Sequence, residues 1–150
     1  MRNGKKVIGV ILTLTTVLMF SCKKYENGGR LAKAEKNVTQ TWKIDSYYMD
    51  GVDQTAALLI TNFTETFADG GTYTRSYTDA SGDLENKNGA WELENDKSLI
   101  NISGIGSFEL TEETSTVSAS EYTILKLDEE ELWYNFSNGG NTHEFHMVPQ

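Results

Sequence analysis

Glu65 and Arg75 are the residues in this chain whose types and spacing are best suited to act together. Asp69-Gly70-Gly71 lies between them and reads as a three-residue hairpin loop with a glycine in the left-handed conformation. Such a turn sets Phe67 opposite Tyr73, Glu65 opposite Arg75 and Phe63 opposite Tyr77, all on one face. The aromatic pairs predict that this face looks inward. A buried charge is costly unless it is paired. In one reading Arg75 anchors an acidic ligand head group inside the fold, with Glu65 holding it. In the other the two form a structural ion pair, or an exposed cross-strand pair of little energy. The candidate ligand-binding set is Arg75, Glu65, Tyr48, Phe63, Tyr73, Tyr77 and Tyr134. An aromatic lining with a few polar groups suits a small amphipathic ligand, and each ring taken singly serves equally as core packing.

Other chemistry finds less support. His143 and His146 are the only histidines, and a spacing of three on a strand puts them on opposite faces. With no cysteine to join them, no metal site is expected. Asp45, Asp50 and Asp53 lack the full ligand series of a calcium loop. Gly104-Ile105-Gly106 does not continue as a nucleotide-binding glycine motif, and no Gly-x-Ser-x-Gly elbow occurs. No cofactor and no enzymatic activity are expected.

Cys22, the one cysteine, carries a different chemistry. Arg2, Lys5 and Lys6 precede an uncharged stretch from Val7 to Phe20, and Ser21 supplies a small residue before the cysteine. This is the anatomy of a secretory signal. The stretch is shorter than the roughly 20 residues that span a membrane. A cysteine at that exit resembles the lipobox of bacterial lipoproteins, where it is acylated and becomes the new N-terminus. The resemblance implies an exported protein tethered to a membrane through lipid at Cys22. Lys23 stands where enteric lipoproteins kept at the inner membrane carry aspartate, which implies the outer membrane.

Those residues must be positioned by a modest domain. Residues 1–21 read as signal peptide, 22–29 as a polar tether and 30–150 as one folded unit. Removing the signal takes three basic and no acidic residues, which leaves a net charge of −12. That charge argues against nucleic acid and keeps an exported domain dispersed. Arg30 to Asn37 can form a short helix. Beyond it eight strands are expected, near Thr39–Tyr48, Asn62–Phe67, Thr72–Tyr77, Ala90–Leu93, Leu99–Ser103, Glu121–Leu127, Leu132–Phe136 and Thr142–Val148. Thr55–Thr61 reads as a short helix or lid, Thr78–Gly89 as a polar loop, and Gly104–Ser120 as a stretch that pairs partly. On the first strand Trp42, Ile44, Ser46 and Tyr48 share a face, and Trp42 is expected to plug one end. Tight turns favour a meander, and eight strands close into an antiparallel up-and-down barrel that leaves no edges.

The motifs that punctuate these strands are Gln40-Thr41-Trp42-Lys43-Ile44, Phe67-Ala68-Asp69-Gly70-Gly71-Thr72-Tyr73, Gly89-Ala90-Trp91-Glu92-Leu93 and Tyr122-Thr123-Ile124-Leu125-Lys126-Leu127. In this order, behind a lipoprotein signal, they resemble the lipocalin-like domain of Bacteroidetes lipoproteins over nearly all of Val38–Val148. The resemblance implies an eight-stranded barrel with one open end and no shared catalytic residues. The expected function is binding of a small apolar or amphipathic ligand at that end. The alternative is an accessory surface lipoprotein that binds another protein through a packed barrel.

Overall fold

A computed structural model describes residues 29–94, 99–111 and 117–150. The expected signal, Cys22 and most of the tether lie outside the described residues. A helix, α1 (Gly29–Val38), leads into β1 (Thr41–Met49), a two-residue β2 (Val52–Asp53) and a single 3-10 turn at Thr55–Ala57. Then follow β3 (Thr61–Ala68), β4 (Thr72–Thr78), β5 (Leu84–Leu93), β6 (Leu99–Ser103), β7 (Glu121–Leu127), β8 (Leu132–Asn138) and β9 (Asn141–Pro149). Every strand pairing is antiparallel, and β1 also pairs with β9. The sheet closes on itself into an eight-stranded barrel, with β2 as an extra ribbon on β1.

Alternation explains the core. Along β3 and β4, Phe63, Glu65, Phe67, Tyr73, Arg75 and Tyr77 are buried while their neighbours are not. The loop at Asp69–Gly71 has both glycines in the left-handed region and sets Phe67 opposite Tyr73 and Glu65 opposite Arg75. The third expected pair is interrupted by an irregularity between Thr61 and Thr64, where Asn62 has φ 52°. The Phe63 and Tyr77 rings still stack, with centroids 6.3 Å apart. At one end, Trp42 is fully buried and its Nε1 donates to the Val38 carbonyl of α1 at 2.9 Å. Trp42 thus plugs the end that the helix covers.

Two expectations about strands need correction. The fourth expected strand, Ala90–Leu93, extends back to Leu84, so much of the expected loop Thr78–Gly89 is strand. The real turn is tighter. Asp79 Oδ1 accepts the Ser81 and Asp83 amides, each at 2.9 Å, and Gly82 takes a positive φ. Residues 84–89 lack an apolar alternation, so pairing with β4, not local preference, makes them strand. In β1 the register against β9 shifts between Ile44 and Ser46. This bulge reverses the faces that follow it. Tyr47, not Tyr48, enters the core.

Among the described residues of the Gly104–Ser120 stretch, Phe108 and Val117 form a bridge, and the Ile102 amide donates to the Ser120 carbonyl at 2.8 Å. The Leu59 amide donates to the Leu110 carbonyl at 2.7 Å. Phe108, Leu110 and Val117 are buried. The end away from α1, expected to be open, is therefore covered by Phe108, Leu110 and Val117.

Candidate functional site

The interior polar groups converge on Glu65. Its Oε1 accepts from Arg75 Nη2 at 3.1 Å, from Arg75 Nε at 3.3 Å and from the Tyr122 hydroxyl at 3.0 Å. The Tyr73 hydroxyl donates to the same oxygen. The Tyr134 hydroxyl donates to Oε2 at 2.7 Å. Arg75 Nε also reaches the Tyr73 hydroxyl at 3.2 Å, and its Nη2 reaches that of Tyr122. Glu65 is 0% and Arg75 1% exposed. Alternation on β3, β4, β7 and β8 aims all five side chains inward at one level.

The electrostatics are those of a satisfied buried network. Burial, followed by the nearby Glu65 charge, pushes the Tyr73 and Tyr134 hydroxyls well above the ordinary tyrosine value. Burial raises Tyr122 as well, with Arg75 opposing and Glu65 assisting. The three hydroxyls stay protonated and serve as donors. Burial works against the Arg75 charge, and the surrounding oxygens outweigh it. Above the guanidinium sits the Phe108 ring, its centroid 4.1 Å from Cζ, with Phe63 and Tyr73 at 5.7 Å. Donors committed to Glu65 and roofed by a ring favour structural specificity.

The sequence-derived set is thus partly assembled. Glu65, Arg75, Tyr73 and Tyr134 meet in one cluster, and Phe63 and Tyr77 stack beside it. Tyr48 does not join them. The β1 bulge turns it outward, where it packs on His146 with centroids 4.9 Å apart. Tyr47 takes the interior place and shares a 2.8 Å hydrogen bond with Nδ1 of His143. His143 Nε2 makes no hydrogen bond of ordinary geometry. Burial lowers its pKa, although the Asn138 backbone and Asp50 favour the charged form. Sequence reasoning missed Tyr122, Tyr47, His143 and Phe108. Only the alternation of Tyr122 with Ile124 carried a signal.

A second feature lies on the barrel wall. The ladder between β1 and β3 ends at Lys43–Thr64, and the strands diverge beyond it. A cleft of about 430 Å³ opens there. Ile44, Leu58, Ile60 and Phe63 line it, and Lys43 and Asp45 stand on its polar side. Its size falls in the range of small-molecule sites. Phe63 joins the two features, because it lines the cleft and its ring lies against Arg75.

This geometry matches known structures at the level of fold. The chain is similar to the crystal structure of a lipocalin-like protein from Bacteroides uniformis, at 13% identity and a TM-score of 0.50, over 76% of this chain and 99% of that one. An uncharacterized protein from Bacteroides eggerthii is similar at 16% identity and a TM-score of 0.45, over 72% of this chain and 97% of that one. No family model matches the sequence, and no curated protein matches it. The barrel, its closure and its helical cover define a lipocalin-like fold.

Proposed function

We propose that this protein is an exported lipocalin-like barrel, anchored to the outer membrane by lipid on Cys22, that binds a small amphipathic molecule. The ligand lies in the wall cleft near the end away from α1. The observation that carries this reading is the cleft itself, with an apolar lining and charged groups beside it. The Glu65–Arg75 cluster acts behind it as a rigid base, through Phe63. Arg75 contacts a ligand only if Phe108 leaves its guanidinium. This revises the expectation of a head group bound directly to Arg75. A protein-binding role finds less support, because the exposed large apolar residues Val52, Leu84 and Leu125 stand on strands that do not pair with one another.

Native mass spectrometry of the protein purified from its own bacterium tests the reading. A co-purified amphiphile is expected, and Leu58→Trp, which fills the cleft, is expected to lose it while the melting temperature holds. A protein that carries nothing and takes up no Nile red contradicts the proposal. Cys22→Ser is expected to block palmitate labelling and release the protein from membranes. Unchanged labelling would remove the anchor from this account.

A further inference from the structure

Opposite charges two residues apart on one strand close into a pair elsewhere in this barrel. Lys87 Nζ lies 2.5 Å from Glu85 on β5. Lys43 and Asp45 on β1 have the same spacing and complementary charge. They form no ion pair with each other or with any other described residue. The cause is local. Asp45 is the extra residue of the bulge between Ile44 and Ser46, and a bulge re-aims the side chain it carries. Both residues line the wall cleft, beside the apolar surface of Leu58, Ile60 and Phe63.

We infer that the cleft takes a zwitterionic amphiphile, with its anionic group on Lys43, its cationic group on Asp45 and its apolar chain against Leu58, Ile60 and Phe63. The inference rests on the ligand-binding reading above and names the class of ligand. Two free charges of opposite sign, held apart at the mouth of an apolar cleft, complement a head group that carries both. A purely anionic ligand would face Asp45 unfavourably, and a purely cationic one would face Lys43. A neutral chain would leave both charges uncompensated as the cleft loses water. The pairing at Glu85–Lys87 shows what the same spacing does where no bulge intervenes.

The test uses the full chain carrying Cys22→Ser, so that its own lipid does not compete. Dodecylphosphocholine, dodecanoate and dodecanol are titrated below their micellar concentrations by calorimetry. Dodecylphosphocholine is expected to bind most tightly. Lys43→Gln and Asp45→Asn are each expected to weaken it by about fivefold, the scale of one partly exposed ion pair, and to leave dodecanol unchanged. Both positions are exposed, so these variants fold. Equal affinity for all three probes overturns the inference and leaves the ligand-binding reading standing. Failure of every probe removes both. Loss of dodecanol together with dodecylphosphocholine in the charge variants also overturns the inference. Phosphatidylcholine vesicles separate the two sources of such a head group. Co-sedimentation with them supports a membrane lipid, and binding of the monomer alone supports a free amphiphile.

Discussion

Glu65 decides the character of the interior. It accepts from Arg75 and three tyrosines, so its loss strands a buried guanidinium. Glu65→Leu is expected to cost about 3–5 kcal/mol in denaturant unfolding. The double change with Arg75→Met should recover much of that loss, and strict additivity in the cycle would show that the two do not act as a pair. The pairing of Glu65 with Arg75 was legible from a single hairpin loop. Their partner Tyr122 was not, because it is distant in sequence and only barrel closure brings its hydroxyl to the same carboxylate. His143 carries a prediction about pH. Burial lowers its pKa below the ordinary 6.5. Between 6.5 and the lowered native value, the unfolded imidazole binds a proton that the folded one refuses. Stability is thus complete above 6.5 and declines as pH falls through that window. A melting-temperature series should show this slope, and His143→Phe should flatten it.

At the scale of elements, irregularities do most to shape the site. The bulge in β1 puts Tyr47 inside, turns Tyr48 out and holds Asp45 away from Lys43. The outward ring then completes a ladder across four strands. Lys126 lies 4.8 Å from the Trp133 ring, Trp133 lies 3.9 Å from His146, and His146 lies 4.9 Å from Tyr48. Strict alternation along Trp42–Tyr48 concealed this, since one extra residue reverses every face beyond it. Residues 84–89 were read as loop for a related reason. Their concave side bears Glu85 and Lys87, a half-exposed ion pair where alternation leads one to expect apolar groups. Gly89 in the same strand is under a steric constraint. A Cβ there would stand 2.1 Å from the Ser103 carbonyl oxygen on β6. Gly89→Ala is expected to destabilise by about 1–3 kcal/mol in thermal or urea unfolding, and an unchanged midpoint would show that β6 yields freely.

For the whole molecule, closure is the decisive event. β1 pairs with both β3 and β9, so the first and last strands share one ladder and the sheet has no long free edge. Trp42 ties that closure to the helix through the Val38 carbonyl. Trp42→Ala should therefore cost about 3–5 kcal/mol and loosen α1 with the barrel end, measurable as faster amide exchange in both at once. Faster exchange in α1 alone would separate the helix from the barrel. The residues by themselves determined the all-β meander, the loop at Asp69–Gly71, the Glu65–Arg75 pairing and the plugging role of Trp42. Each of these follows from short-range periodicity or turn chemistry, which one strand or hairpin carries complete. Tertiary structure alone decided which end is covered, that Phe108 roofs Arg75, and that a cleft opens where β1 leaves β3. Those features depend on bulges and on contacts such as Leu59 with Leu110, made between segments far apart in sequence. No local pattern encodes such contacts, because their energy exists only once the barrel has closed.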